Sequence, residues 1–218
     1  MELHATEEQQ IESFKKWWKD NASSIITGVL LGLAMLFGAK SWFAYQERTT
    51  ESASNIYTTL MNALNNGQES LVNEQAGVLI SDFSSTPYAP LAALALAKLK
   101  LEQGELQAAH AQLQWALERA GSEVIRHTAR LRLARVMMAE DDLAGAEALV
   151  GEAGDEGGFV SLYAEIRGDI QLARGATANA RAQYAHALAA MTEESPGRQV
   201  LQLKYDSTVQ ATVPGDAR

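Results

Sequence analysis

The sequence predicts an all-α protein in which a single N-terminal transmembrane helix is followed by an α-solenoid, a stack of helix pairs. Three observations support this prediction: one long apolar run, a composition rich in alanine and poor in proline, and segments that repeat along the chain. The 218 residues include four prolines, and 47% of the residues are hydrophobic. Because alanine is the best helix former and proline the strongest breaker, this composition favours helices in a globular chain.

The apolar run occupies residues 25–45, with the sequence IITGVLLGLAMLFGAKSWFAY. From Ala22 to Ala39 the chain has 18 residues without a charge, about the minimum that crosses the hydrocarbon core of a bilayer. Aromatic residues flank this uncharged stretch on both sides, as in the interfacial belts of membrane helices. They are Trp17 and Trp18 before it, and Trp42 and Tyr45 after it. We therefore predict a transmembrane helix with an interfacial end at residues 22–45.

Two alternatives to a permanent anchor fit the run less well. A core helix of a soluble domain would carry polar residues at every third or fourth position, and these are missing. A cleaved export signal would have a short basic start and a small-x-small cleavage site. Residues 1–21 are instead partly acidic, and Phe37 stands two positions before Ala39. The sequence thus predicts an uncleaved anchor.

Basic residues on the two sides of the anchor predict its orientation. Lys15, Lys16 and Lys19 precede the uncharged stretch at residues 22–39, whereas Lys40 and Arg48 lie close after it. Because basic residues near the ends of a span favour the cytoplasmic side, residues 1–21 are predicted to be a cytoplasmic segment. Residues 46–218 then lie across the membrane.

Small residues recur along the predicted span. Ser24, Gly28 and Gly32 form a small-xxx-small ladder, which lets the backbone of a second helix approach closely. The pattern predicts a membrane helix packing surface. The alternative is that these glycines reflect only the general abundance of glycine in membrane helices.

Three later segments repeat, beginning at Leu91, Thr128 and Leu162, with offsets of 37 and 34 residues. They share small residues at three matched positions, a larger apolar residue at a fourth, and a turn between two helices. The small residues are Ala97, Ala134 and Gly168; Ala109, Ala146 and Ala180; and Ala116, Ala153 and Ala187. The larger residues are Leu113, Val150 and Tyr184, and the turns are Gly104-Glu105, Asp141-Asp142 and Gly175-Ala176. Small side chains at helical spacing predict closely packed antiparallel helix pairs.

Further helices are predicted on both sides of these repeats. Residues 44–64 and 68–83 are predicted to form an earlier pair that lacks the small-residue register, and its first helix continues from the anchor. Ser195 and Pro196 have the chemistry of an N-cap and a first helical position, which predicts a last helix up to about Tyr205. The predicted repeat domain therefore spans residues 46–205, followed by a flexible tail at residues 206–218.

Charge and motif content exclude several function classes. The net charge is -9; five acids and four lysines in residues 1–45 account for -1, which leaves -8 for residues 46–218. Such an acidic segment is unsuited to the phosphates of nucleic acids. There is no cysteine, the four histidines are scattered, and nucleotide-binding and hydrolase motifs are missing. We predict no catalytic residue, cofactor or metal, although an anchored enzyme with an unrecognised site stays an alternative.

The first helix of each repeat supplies a candidate groove for a partner. Repeat solenoids bind partners on a concave face, which is lined here by charged and apolar residues of the first helices. The predicted groove residues are Leu94, Lys98, Leu101, Leu131, Arg135, Met138, Glu165, Asp169 and Leu172. The alternative is that the leucines belong to the core between repeats.

The repeat spacing resembles the tetratricopeptide repeat, a 34-residue helix-turn-helix unit. The usual first-helix tryptophan is replaced by Ala93, Arg130 and Ala164, and the usual closing proline by Gly121, Gly158 and Thr192. Nearly end to end, the chain also resembles the YfgM-like family of ancillary SecYEG translocon subunits. The matching stretches are GVLLG (residues 28–32), LRLARV (131–136), RG (167–168), GATANAR (175–181) and LQLKYD (201–206).

The resemblance implies a single-pass protein of the cell inner membrane, with a cytoplasmic N-terminus and a tetratricopeptide-like domain in the periplasm. It implies the SecYEG translocon and a PpiD-like periplasmic chaperone as partners, with exported client proteins as a further candidate. The implied function is to help transfer newly translocated proteins to periplasmic chaperones. The alternative function is a generic envelope scaffold for cell-wall or outer-membrane assembly.

Overall fold

Residues 7–210, the part of the chain described by the computed structural model, form nine α-helices and one short 3-10 helix, with no strand. The all-α prediction is therefore confirmed. The helices are α1 (Glu7–Asn65), α2 (Glu69–Asp82), α3 (Tyr88–Glu102), α4 (Leu106–Glu118), α5 (Glu123–Ala139), α6 (Leu143–Gly151), α7 (Val160–Ala173), α8 (Thr177–Ala189) and α9 (Arg198–Gln210), and the 3-10 helix is Gly157–Phe159. The chain divides between Glu51 and Ser52 into two compact units, and α1 contributes residues to both.

The apolar run lies in α1 and is exposed. No residue is buried in its most apolar stretch, which has a mean hydropathy of 1.9. Met35, Leu36 and Phe37 are 74%, 69% and 67% exposed. A core helix of a soluble domain would bury such side chains, because each stabilises folding by leaving water. Among the described helices, α1 is the one that is long and apolar enough, by length and composition, to cross a membrane.

Residues 52–189 form four successive helix pairs that share one turn geometry, and α9 follows them. The pairs are the last part of α1 with α2, α3 with α4, α5 with α6, and α7 with α8. Each turn has one residue with left-handed backbone, φ between 66° and 77°, at Gly67, Gly104, Asp141 or Gly175. The following residue in each case has φ between -83° and -87°. The earliest pair thus has the turn of the repeats although it lacks their small residues.

Replacing Gly175 with alanine is expected to destabilise the repeat domain by roughly 1–2 kcal/mol. Gly175 has φ 77°, where a Cβ crowds the following carbonyl oxygen. Urea unfolding of the detergent-solubilised full-length protein would measure the change. Gly121→Ala is the matched control, since Gly121 has open space around a built Cβ and no left-handed φ. Equal stability of the two variants would contradict the expected strain at Gly175.

Four apolar clusters hold the helix pairs together. Each cluster joins one pair to the first helix of the next: cluster 1 lies between α1, α2 and α3, cluster 2 between α3, α4 and α5, cluster 3 between α5, α6 and α7, and cluster 4 between α7, α8 and α9. Of the nine small residues that defined the repeat, eight are buried. Ala153 is half-buried, because α6 ends at Gly151 before reaching it.

The last helix differs from the prediction at both ends. Ser195 does not cap it: the Ser195 hydroxyl accepts from the Thr192 backbone N–H at 2.9 Å, so it closes the preceding turn instead. The helix therefore begins at Arg198, and it continues to Gln210, beyond the predicted end at Tyr205. Thr208 is 1% exposed, which shows that residues beyond Tyr205 are packed. The rest of the predicted tail, residues 211–218, lies outside the described residues.

Candidate partner-binding surface

The first helices of the pairs supply the candidate surface, which we call the first-helix face. It consists of residues 57–65 of α1 together with α3, α5 and α7. The nine predicted groove residues lie on α3, α5 and α7. Leu94 and Leu131 are only 6% and 3% exposed and belong to clusters 2 and 3, so they act in the core between repeats.

The other predicted groove residues are more accessible. Leu101 and Leu172 are each 40% exposed, and the side chains of Lys98 and Arg135 are 58% and 46% exposed. Met138 is half-buried against cluster 3. The face therefore presents isolated apolar and basic side chains over a buried aliphatic floor.

A cavity of about 290 Å³ opens on this face between α1, α3 and α5. We call it the α1–α3–α5 cavity. It is lined by Tyr57, Met61, Leu64, Asn65, Leu91, Leu94, Ala95, Lys98, Val124, Ile125, Thr128 and Arg132. The sequence predicted Leu94 and Lys98 but missed the contribution of α1 and α5. The contribution of α1 could have been recognised from the glycine turn at Gly67. Gly67 lies as many residues before Gly104 as Gly104 lies before Asp141.

Acidic side chains at the other end of the face are held by partners within the chain. Lys204 Nζ donates to Asp169 Oδ2 and to Glu165 Oε1, both at 2.7 Å. Arg135 approaches Glu165 at 3.9 Å, and the Tyr184 hydroxyl donates to Asp169 at 2.8 Å. Burial lowers the pKa of Lys204, but hydrogen bonds to Asp169 and Glu165 outweigh burial and raise it. Glu165 and Asp169 therefore fix α9 against α7, a role that the sequence did not indicate.

Raising the pH above about 10 is expected to destabilise the repeat domain. Burial, aided by Asp169, raises the pKa of Tyr184 well above its ordinary 10.0, and burial likewise raises the pKa of Tyr163. Because the folded state then binds these protons more tightly than the unfolded state, the stabilisation is complete below pH 10 and is lost as pH rises through the raised pKa.

Tyr184→Phe removes one of these titrating hydroxyl groups. The free energy of unfolding of this variant should therefore fall less steeply with rising pH between about pH 9 and about pH 11. Urea unfolding at several pH values measures the slope. Tyr45→Phe is the control, because Tyr45 is 67% exposed. Parallel slopes for wild type and Tyr184→Phe would contradict the assignment.

The histidines do not assemble a metal site in the described part of the chain, where no group of three potential ligands is found. His110 Nδ1 lies 2.8 Å from Glu140 and His127 Nε2 lies 3.8 Å from Glu123. His127 is buried and shares a 2.8 Å hydrogen bond with the Tyr163 hydroxyl. The contacts of His110 with Glu140 and of His127 with Tyr163 join different helices, whereas His127 and Glu123 lie one turn apart in α5.

A second cavity, of about 340 Å³, lies between α6, α7 and α8 and has a mixed polar lining. Its charges are balanced, since Glu147 and Arg167 both line it. Glu147 is already bound by Arg174 at 2.6 Å. This cavity therefore offers no unbalanced charge to a ligand.

The small-residue ladder of α1 is accessible. Ser24 is exposed, and Cβ atoms built on Gly28 and Gly32 meet nothing within 4 Å. Space for a neighbouring helix is therefore present beside both glycines.

Comparison with known proteins places the chain in a family. Residues 15–210 match the family described as a tetratricopeptide repeat-like domain. A protein of Haemophilus influenzae named "Ancillary SecYEG translocon subunit" is 33% identical over 171 residues, which cover 78% of this chain and 82% of the relative. The chain belongs to the family of ancillary SecYEG translocon subunits. The resemblance noted in the sequence is confirmed.

Two further relatives of the ancillary SecYEG translocon subunit family carry the same name. The protein of Escherichia coli is 29% identical, covering 84% of this chain and 88% of the relative. The protein of Neisseria gonorrhoeae is 28% identical, covering 95% of this chain and 99% of the relative. The matched segments include both α1 and the repeats, so the family combines the apolar helix with the helical scaffold. The names of these relatives designate a translocon subunit and not an enzyme.

Proposed function

We propose that this protein is a membrane-anchored interaction protein of the SecYEG translocon, without catalytic activity. The observation that carries the proposal is the pairing, in one chain, of an exposed apolar helix with a repeat face that holds an open apolar cavity. The relatives named as translocon subunits support the choice of the translocon as the site of action.

The proposed topology has residues 1–21 in the cytoplasm, an inner-membrane anchor at residues 22–45 and the repeat domain in the periplasm. The lysines before the run support this orientation. In this position the anchor gives the first-helix face a high effective concentration near the translocon exit, so that modest affinities suffice for capture. The proposed task of the face is to help pass newly translocated proteins to a PpiD-like periplasmic chaperone.

The membrane helix is proposed to recognise a partner helix through Ser24, Gly28 and Gly32. Because hydrocarbon gives no hydrophobic drive between helices, close van der Waals packing at small residues is the main attraction available. The open space beside Gly28 and Gly32 supports this proposal.

Site-specific photocrosslinking in native membranes tests the proposed function. A photoreactive residue at Leu101 or Leu172 should crosslink translocon, chaperone or client proteins, and one at Gly28 or Gly32 should crosslink a membrane subunit of the translocon. Gln114, exposed on the second helix α4, is the control position. Crosslinks to cell-wall or outer-membrane assembly proteins instead would favour the envelope scaffold.

Protease protection tests the topology separately. In spheroplasts, external protease should digest the segment that follows the anchor and leave residues 1–21 protected. Protection of the repeat domain in intact spheroplasts, with digestion only after lysis, would overturn the periplasmic assignment.

A further inference from the structure

The α1–α3–α5 cavity has a charge opposite to that of the domain around it. Lys98 and Arg132 line the cavity, and none of its described lining residues is an aspartate or glutamate. Residues 46–218 as a whole carry a net charge of -8, from the total of -9 less the -1 of residues 1–45. A local pair of cations within an acidic domain therefore marks one place where an acidic ligand is attracted.

Both cations are available to a ligand. Lys98 lies 3.6 Å from Glu102, but both side chains are more than half exposed, and such surface pairs contribute only about 0–1 kcal/mol. Within residues 7–210, none of the ion pairs includes Arg132. By contrast, Lys204 of the same domain is neutralised by Glu165 and Asp169, both at 2.7 Å. Lys98 and Arg132 thus place two accessible positive charges at this cavity.

The walls of the cavity are apolar and suited to an anchoring side chain. Met61 and Leu64 of α1 and Leu91 and Leu94 of α3 line the cavity. Tyr57 also lines it, and its ring lies 5.6 Å from that of Tyr88. A volume of about 290 Å³ is at the lower end for ligand pockets, which suits one large side chain better than a whole small molecule. Single aromatic or aliphatic anchors of this kind dominate many protein interfaces.

We propose that the α1–α3–α5 cavity binds an acidic amphipathic segment of a partner protein. A large apolar side chain of the segment enters the cavity, and carboxylates beside it pair with Lys98 and Arg132. This inference rests on the proposed function in taking the partner to be a protein. The surrounding negative charge repels acidic segments that lack the apolar anchor, and the two cations disfavour basic segments at the cavity, so both features are required for binding.

Selection from a library of random short peptides, displayed on phage, tests the ligand chemistry. The target is the full-length protein in nanodiscs, with empty nanodiscs used to remove background binders. The enriched peptides are expected to combine aspartate or glutamate with a neighbouring leucine, phenylalanine, tryptophan or methionine. Enrichment without an excess of acidic residues, or no enrichment, would overturn the proposal.

Charge reversal then locates the site. Binding of a selected, fluorescently labelled peptide to Lys98→Glu and to Arg132→Glu is expected to weaken about tenfold for each variant, which corresponds to roughly 1.4 kcal/mol. Arg119→Glu is the matched reversal outside the cavity, at the end of α4, and should leave affinity within about twofold. A peptide with its acids changed to lysine should bind the double variant Lys98→Glu/Arg132→Glu better than it binds the wild type. Equal effects of all three single reversals would overturn the assigned site.

Failure of this inference is distinguishable from failure of the proposed function. Co-purification of translocon subunits with the wild-type protein tests the proposed function and does not use the peptides. If translocon subunits co-purify but no acidic peptide is selected, the ligand assigned to the cavity is wrong. If acidic peptides bind at the cavity and translocon subunits do not co-purify, the proposed site of action is wrong.

Discussion

Replacing Gly168 with leucine is expected to destabilise the repeat domain by about 3 kcal/mol, the upper end for overpacked cores. Gly168 lies in α7, where a built Cβ would be 2.4 Å from Tyr184 Cε1 and 2.6 Å from Cδ1. Real Cβ atoms do not approach other atoms so closely, so the Tyr184 ring would have to move. That ring is fully buried, and its hydroxyl donates to Asp169 at 2.8 Å. Movement of the ring would therefore disturb both cluster 4 and the cluster of charges around Lys204.

Alanine at the same position separates steric overlap from helix propensity. Gly→Ala inside a helix normally stabilises by about 1 kcal/mol, whereas overpacking costs about 1–3 kcal/mol. Gly168→Ala should therefore be destabilising by roughly 1 kcal/mol. Gly77→Ala is the matched control, since Gly77 lies within α2 and its built Cβ meets nothing within 4 Å. The control should stabilise by about 1 kcal/mol in urea unfolding; a similar gain at Gly168 would show that Tyr184 relocates without loss.

Replacing Tyr163 with alanine is expected to destabilise the domain by about 3–5 kcal/mol, because it removes a large ring from a packed core. Tyr163 has no exposed surface and lies in cluster 3, beside the ring of His127 at 5.6 Å. His127 in turn stacks on Phe159 at 4.9 Å. Loss of the Tyr163 ring would leave a cavity and remove the support of both neighbouring rings.

Tyr163→Phe isolates the contribution of the hydroxyl group. It keeps the ring but leaves His127 Nδ1 without its 2.8 Å partner, and a buried unsatisfied polar group costs about 1–3 kcal/mol. Urea unfolding gives the free energies, and hydrogen exchange should place the loss of protection in α5, α6 and α7. Tyr45→Ala, at an exposed position of α1, should leave the exchange of these helices unchanged. Equal losses for Tyr163→Ala and Tyr163→Phe would mean that ring packing contributes nothing.

The repeat architecture could be predicted because local sequence patterns that recur along the chain indicate it. Small residues such as Ala109 and Ala146 return at the same distance from a turn, and Gly104 and Gly175 supply the backbone conformation that the turn needs. Such signals depend on residues close together in sequence. The shortness of α6, which leaves Ala153 outside the second helix, was not visible in the same pattern.

The candidate surface was predicted only in part, because it depends on distant contacts. The ion pair of Lys204 with Glu165 joins residues 39 positions apart, and no local pattern indicates it. Likewise, the sequence of one helix does not show whether Leu94 and Leu131 lie on an open face or pack against the next pair. In the structure the following pair packs against both residues, and Leu94 also lines the α1–α3–α5 cavity. The contribution of Tyr57 and Arg132 to the cavity required knowing that α1 stacks as a repeat on α3.

The separation of the core into four clusters makes the domain modular. The α1–α3–α5 cavity rests on clusters 1 and 2, whereas α9 and the charges around Lys204 depend on cluster 4. Because each helix pair touches mainly its neighbours, damage at one end of such an array decays along it. The end near α9 can therefore fray while the end that holds the cavity stays intact. Mutational robustness in this protein follows from where its cavity lies in the array.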